Sequence, residues 1–399
     1  MRPGSLARRS MQGTKRRLRD IAGAVVAGRF RSLFKAFEPR PDGRRLADLM
    51  TRAQWSVDHI ELTPDGVEMH GWAVARGLPA TDAVFLVNGR EFDAVQYPLA
   101  RDDIAGLFWY LPEARASGFN CRARTSLDDL FSQGFAEFRW AAREGASRDH
   151  AEALSHCCNY YADPRLDALP LPDPVRRRRV HGADLEGPFR IEGASAFVKL
   201  RRALQDTVGR DFPDFRRILD WGCGCGRSTR HFAALGDGRL LGVDIDADNI
   251  AWCSTHLPFG RFQVVPLHPP TALESAAFDL VLGVSVFTHL REAEQFRWLD
   301  ELRRVAAPGA ILLVTVHGDA TVCRSSLSQS QFAELMTHGF LDAGLNPDLE
   351  GAIAESDYYR NSFQRTAYIR DRWSPYFEIV AVVPGYIGSF QDLVVLRRA

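Results

Sequence analysis

Three regimes of apolar spacing divide the chain. Between Thr14 and Glu38, the residues Leu18, Ile21, Val25, Val26, Phe30, Leu33, Phe34 and Phe37 recur at helical spacing and make one stripe, with Arg16, Arg17, Arg19, Arg31 and Lys35 on the polar side. This predicts a basic amphipathic helix in a leader spanning residues 1–48. From 55 to 145 the period falls to two. Val57–Leu62 runs into the turn Thr63-Pro64-Asp65-Gly66 and then Val67–Val74; Ala83–Val87 precedes Asn88-Gly89, a strong hairpin signal, and Phe92–Tyr97 follows. Gly118–Ala123 and Phe135–Trp140 add strands, and the whole predicts a small antiparallel β-sandwich. Pro164, Pro170, Pro172 and Pro174 mark residues 146–185 as a helical and proline-rich linker. From 186 to 399, short wholly apolar runs alternate with helical ones, beginning with a helix over Ser195–Thr207, which is the pattern of an α/β domain.

The sharpest local signal lies at the start of that last region. Ile218-Leu219-Asp220-Trp221 is an apolar strand with an acid near its end, followed by Gly222, Gly224 and Gly226 at alternate positions and a helical run from Arg227 to Leu235. Glycines let backbone approach a ligand closely, and a helix start offers unpaired N–H groups to an anion. A second strand, Leu240–Asp244, ends in an acid 20 residues after Gly224, where a carboxylate can take ribose hydroxyls. Asp220 discriminates between nucleotides. It would repel a pyrophosphate, as in NAD, but attracts the ammonium and sulfonium of S-adenosylmethionine, whose own carboxylate can use the helix start.

With these residues the chain resembles the Rossmann-like class I S-adenosylmethionine-dependent methyltransferases over about residues 186–399. Phe278 to Leu290 looks like the fourth strand of that family and the loop along the methionine end of the cofactor. A helix from Arg291 to Val305, a turn at Pro308-Gly309, a fifth strand Ala310–Gly318 and a closing strand pair (Tyr376–Val383 and Asp392–Arg398) complete the likeness. The resemblance implies a mostly parallel seven-stranded sheet with helices on both faces. It implies a cofactor set of Asp220, Gly222, Cys223, Gly224 and Gly226 at the first strand, Asp244 and Ile245 at the second, and Ser285 after the fourth. Where the family often carries an acid or Asn to read adenine, Pro266-Leu267-His268-Pro269-Pro270 stands here, which leaves that role to backbone groups or to His268. Trp72 with its neighbours, and the stretch from Arg101-Asp102-Asp103-Ile104 to Gly118-Phe119, resemble accessory domains that accompany enzymes of bacterial surface-polysaccharide assembly. A packing or dimerisation module is the alternative, and Trp72, Trp109 and Trp140 read as core rather than sugar platforms.

Charge changes the picture of partners. Residues 1–45 hold 13 Lys/Arg against 3 Asp/Glu, and the rest of the chain holds 37 against 47. A nucleic-acid binder usually carries its basic surface on the folded body, so a nucleic-acid substrate is not expected. A basic amphipathic helix lies well on an anionic membrane surface, which makes residues 14–38 a candidate peripheral contact; docking on its own protein is the alternative. No run of about 18 apolar residues exists to span a bilayer. The seven cysteines form no paired-ligand spacing, His156-Cys157-Cys158 included, and suit a reducing cytoplasm. The run Arg176-Arg177-Arg178-Arg179 reads as a solvated face.

Methyl transfer is an in-line displacement, and a hydroxyl or amine acceptor needs a base. His289, after the fourth strand, and His317, at the end of the fifth, stand at strand C-termini where open α/β sheets bind ligands; either can equally be structural. The segment 318–375 is longer than one crossover needs and suits a substrate lid, in which Tyr358, Tyr359 and Arg360 grip the acceptor or simply pack. The expected function is methyl transfer to a hydroxyl of a saccharide or lipid-linked glycan. The alternatives are another small metabolite, a protein side chain, or a non-catalytic cofactor-binding subunit of a glycan-assembly complex.

Overall fold

A computed structural model of the chain describes residues 53–399 apart from 147–153, 155–156, 167–168, 183, 237 and 326. The leader with its apolar stripe, and His156, lie outside the described residues. Strands β1 (Gln54–Thr63), β2 (Gly66–Val74), β3 (Ala83–Val87), β4 (Arg90–Glu91), β5 (Ala94–Ala100), β6 (Ala116–Arg124), β7 (Phe135–Ala142) and β8 (Cys158–Ala162) build two antiparallel sheets, ordered β1-β2-β6-β5 and β4-β3-β7-β8. Alternation explains their union. Trp55, Met69, Phe119 and Cys121 from one sheet meet Phe85, Val87, Phe138 and Trp140 from the other in a single apolar cluster, with Phe85 and Phe119 ring centres 4.7 Å apart. Asn88 and Gly89 both take positive φ, +47° and +78°, as the two-residue turn between β3 and β4 requires. Trp72 and Trp140 are buried and Trp109 is half-buried. β8, inside the stretch assigned to the linker, pairs with β7 and widens the second sheet. Its five residues carry no turn signal or alternation strong enough to mark them as a strand.

Two helices bridge to the second half. Helix α1 (Pro174–His181) starts on Asp173, whose carboxylate accepts the Val175 and Arg176 N–H groups, and stops at Gly182 in the left-handed region. Helix α2 (Glu186–Val208) begins nine residues before the expected Ser195. Its Ile191 packs into the N-terminal cluster, while Phe189, Phe197, Leu200 and Leu204 pack under the second sheet. Ser195 Oγ accepts the Tyr160 N–H of β8 at 2.8 Å.

The second sheet is mixed. Its strands are β9 (Ile218–Trp221), β10 (Leu240–Asp244), β11 (Arg261–Val264), β12 (Phe278–Gly283) and β13 (Ala306–Val316), with β14 (Phe340–Leu345) and β15 (Arg360–Gln364) forming a separate pair, and then β16 (Glu378–Ile387) and β17 (Gln391–Arg397). The order is β11-β10-β9-β12-β13-β17-β16; the first five run parallel, and β17 runs antiparallel to both neighbours. Successive residues of the central strands serve opposite faces. Leu219, Val281, Leu312 and Val314 pack against Trp298, Leu299 and Leu302 of a helix over Glu292–Val305, while Ile218, Leu280, Ile311 and Leu313 pack under α2. β13 starts four residues earlier than expected, because Gly309 (φ +75°) forms an irregularity in the ladder rather than a turn that ends it.

The helical run expected from Arg227 to Leu235 is a 3-10 helix over Thr229–Leu235. Thr229 and Phe232, three apart, are both buried, and three residues per turn keeps them on one face.

A buried carboxyl gives the fold a pH dependence. Asp392, at the head of β17, is buried and accepts the Gly385 N–H at 2.9 Å. Burial, and after it the Asp319 carboxylate, pushes its pKa from 3.8 to about 8. The native state therefore holds this proton more tightly than the unfolded chain, and stability falls as pH climbs from about 4 to about 8. We predict that Asp392→Asn flattens this slope: between about pH 6 and about pH 8.5 the wild-type melting temperature should drop more than the variant's. Parallel melting profiles would contradict the assignment.

Candidate active site

A cavity of about 660 Å³ opens at the C-terminal ends of β9, β10, β12 and β13, within the about 300–1,000 Å³ of small-molecule sites. Its first half is the glycine turn. Gly222, Gly224 and Gly226 have φ of +76°, +54° and +79°. A Cβ at Gly222 would stand 2.2 Å from Val286 Cγ2, and one at Gly224 would stand 2.8 Å from Val180 Cγ2, so side chains would fill the cradle as well as strain it. The N–H groups of Gly222 and Cys223 donate to the Val243 carbonyl at 2.8 and 3.1 Å. Asp244 accepts the Gly224 N–H at 2.7 Å and the Asp246 N–H at 2.9 Å. Asp220 accepts the Thr229 hydroxyl at 2.6 Å. Burial lifts both carboxyls to about 6, and the Asp244 charge adds to the rise at Asp220. Two buried acids side by side favour a cation between them.

The expected cofactor residues Asp220, Gly222, Cys223, Gly224, Asp244, Ile245 and Ser285 all line this cavity, while Gly226 sits behind it against Leu257. His268 does not line it. Its imidazole is held between Glu294 at 2.8 Å and Glu355 at 3.1 Å, and the Glu294 bond, ahead of the Glu355 bond, raises its pKa. Val265 stands instead on the wall next to Ile245.

The arginine run is solvated only at Arg178; the other three are wholly or partly covered. Arg176 pairs with Asp173, Arg177 is buried and donates to the Asp184 and Pro172 carbonyls, Arg178 pairs with Asp184, and Arg179 reaches Asp246 at 3.0 Å. Fixing these side chains docks α1 over the glycine turn, so that Arg179 and Val180 become cavity wall.

The second half of the cavity is built at the ends of β12 and β13. Ser285 has φ +61°, a sparsely used region for a residue with a Cβ. Its N–H donates to Thr315 Oγ1 at 2.7 Å, and Thr315 donates to Gln391 Oε1 at 2.6 Å. His289 Nδ1 lies 2.8 Å from the Arg360 carbonyl. A carbonyl only accepts, so Nδ1 carries the proton and Nε2 keeps its lone pair. Burial lowers the His289 pKa to about 4, and burial followed by the His289 charge lowers His317 to about 3, so both rings are neutral at pH 7. Their centres are 5.9 Å apart.

Among the described residues, segment 318–375 holds the β14–β15 pair, three short α-helices and the 3-10 turn Pro347–Leu349, and it reaches the cavity. Tyr358 and Tyr359 line it; Arg360 does not. The Tyr358 hydroxyl donates to the Leu267 carbonyl and accepts from Trp298 Nε1 at 3.1 Å, which makes it a structural tie. The Arg360 guanidinium is held by Asp342 at 3.0 and 3.1 Å, and its backbone carbonyl, rather than its side chain, serves the site. Residues the sequence did not mark also line the cavity: Ser56 of β1, Asn159 of β8, Arg227, Asn346, Asp348 and Gln391. Only the long-range packing of α2 brings Ser56 and Asn159 here, and no local spacing could show it. Among the described residues no group of three His, Cys, Asp or Glu side chains could hold a metal, and no helix is long and apolar enough to cross a membrane.

Comparison with known proteins places a family on this geometry. The sequence model of the family described as "Methyltransferase domain" matches residues 218–309. Ajmaline N-methyltransferase of Rauvolfia serpentina is 32% identical over 133 residues, 30% of this chain and 45% of that protein. Ubiquinone biosynthesis O-methyltransferase of Caulobacter sp. (strain K31) is 31% identical over 120 residues, 29% of this chain and 46% of that protein. The chain thus spans less than half the length of these relatives. Geranyl diphosphate C-methyltransferase of Streptomyces coelicolor A3(2), solved with S-adenosyl-L-homocysteine, aligns at 14% identity and a TM-score of 0.37, covering 59% of this chain and 92% of that one. Residues 218–309 thus match a methyltransferase domain within the α/β half of the chain, and the cofactor is S-adenosylmethionine. The cradle fits it: glycines leave room for its backbone-close end, and Asp220 and Asp244 offer carboxylates to its cationic and ribose groups.

Since both acids ionise near 6 in the free protein, a cationic cofactor binds best above that pH and is held less well below it. We predict several-fold weaker S-adenosylmethionine affinity at about pH 5 than at about pH 7.5, and a shallower profile for Asp244→Asn, by equilibrium titration. An affinity independent of pH would contradict this charge pairing.

Proposed function

We propose that this chain transfers the methyl group of S-adenosylmethionine to a hydroxyl of a small-molecule acceptor, a saccharide or lipid-linked glycan. When bound, the cofactor supplies an electrophilic methyl on a sulfonium. The observation that carries the reading is the bond from His289 Nδ1 to the Arg360 carbonyl, which leaves an unprotonated Nε2 on a ring at the cavity wall. A hydroxyl gives up its proton as the methyl arrives, and a neutral imidazole can take it. The burial that keeps His289 neutral also weakens it as a base, so proton loss runs together with methyl transfer rather than ahead of it. Ser285, Thr315 and Gln391 hold the loop that carries His289, and residues from both chain halves line the cavity.

Beside the charged Arg179, Glu192, Arg227 and Asp348, the cavity wall offers neutral hydrogen-bonding groups, Ser56, Asn159, Asn361 and Gln391, and apolar Leu200, Ile387 and Phe390. The neutral groups suit the hydroxyls of an acceptor and the apolar ones its body. The likeness of the N-terminal strands to polysaccharide-assembly accessory domains supports the saccharide class, with those sheets acting as a separate unit that completes the acceptor wall. The names of the relatives, an N-methyltransferase of ajmaline and an O-methyltransferase of ubiquinone biosynthesis, favour a second reading in which the acceptor is another small metabolite.

The test is transfer of labelled methyl from S-adenosylmethionine into a small-molecule extract of the source cells, separated into glycan and lipid fractions. His289→Ala should lower turnover by about 10²–10⁴-fold, the range of a lost general base, with the cofactor affinity retained and part of the rate returning at high pH. Equal rates in wild type and variant would remove His289 from the mechanism.

A further inference from the structure

Sequence spacing assigns Tyr359 to the acceptor, but its surroundings reach both halves of the cavity. Tyr359 sits just before β15; its carbonyl accepts the Asn346 N–H at 2.9 Å, and its ring lies on the His289 imidazole with centres 4.0 Å apart and planes 21° from parallel. That stack fixes the plane of the phenol. Asp348, Asp244 and Arg227 line the same cavity as its ring. Asp244 is the acid that ends β10, and Arg227 directly follows the glycine turn. The adjacent Tyr358 hydroxyl is satisfied twice by protein groups, whereas the Tyr359 hydroxyl has no hydrogen-bond partner among the described residues. A hydroxyl without a protein partner at the wall of a cavity finds its partner in what fills the cavity.

The covering of the site agrees. The turn Pro347–Leu349 packs against α1, whose Val180 lies over Gly224. The insertion and α1 thus meet above the glycine turn, and Tyr359 is tied to the insertion's side of that junction through Asn346.

We propose that Tyr359 is a cofactor-binding residue whose phenolic hydroxyl hydrogen-bonds the ribose held by Asp244, so that the insertion closes over the cofactor and the same side chain holds the His289 ring in plane. This rests on the S-adenosylmethionine reading of the site. Its consequence is that the cofactor and the base are aligned through one side chain, and that the acceptor must be read by other residues.

The test is calorimetric titration of the full chain with S-adenosylhomocysteine and with 5′-methylthioadenosine, which keeps the ribose and lacks the amino-acid end. Tyr359→Phe keeps the ring and the stack. It should weaken both ligands about tenfold, the scale of a lost hydrogen bond, without lowering the melting temperature of the ligand-free protein. Unchanged affinities in the variant would overturn the proposal, as would a loss confined to S-adenosylhomocysteine, which would place the hydroxyl on the amino-acid end. Failure of the wild type to bind either ligand would bring down the cofactor reading itself, and this inference with it.

Discussion

The hydrogen bond from the Gly224 N–H to the Asp244 carboxylate, 2.7 Å long, is the constraint on which the rest of the site depends. It ties the turn after β9 to the end of β10. That tie holds three glycines in left-handed backbone, a conformation in which the turn is open and no side chain fills it. The same carboxylate accepts the Asp246 N–H and so fixes the start of the next helix, where Asp246 in turn receives Arg179 from α1. One acid therefore sets the floor of the cofactor half and, through one relay, its roof. Its burial beside Asp220 stores unfavourable charge that a cationic ligand relieves.

A second constraint joins the two halves of the chain. Gly193 of α2 has no room for a Cβ, which would lie 2.3 Å from the Arg227 carbonyl, and the neighbouring Glu192 pairs with Arg227 at 3.0 Å. Two residues further on, Ser195 caps the Tyr160 N–H of β8. The helix thus presses the glycine turn with one stretch and positions the N-terminal sheets with the next. This is why Ser56 and Asn159, more than 100 residues apart in sequence, arrive at the same cavity as the turn. The N-terminal sheets are built into the site wall rather than hung beside it.

Legibility followed the range of the interaction. The turn Asp220–Gly226 and the acid Asp244 were readable because strand, glycine spacing and acid are local and ordered. The Asn88-Gly89 turn and the alternation of the flanking strands were readable for the same reason. His289 and His317 could be placed at strand ends, but the tautomer of His289 depends on the carbonyl of Arg360, 71 residues away, which no spacing reveals. His268 carried the right chemistry and the wrong neighbours: Glu294 and Glu355 claim both ring nitrogens. The run Arg176–Arg179 looked solvated because a charge run usually is, yet its acids and carbonyls lie within the same stretch and at Asp246. The 3-10 form of Thr229–Leu235 follows from which side chains are buried, a property of the packed core and not of the segment.

A structure of the full chain with S-adenosylhomocysteine bound tests the central claim most directly. The account predicts ribose hydroxyls on the Asp244 carboxylate, the amino-acid end against the backbone of Gly222–Gly226, and the sulfur facing the half of the cavity that holds His289. Density for the ligand elsewhere, or a glycine turn that stays empty at saturating ligand, would contradict it.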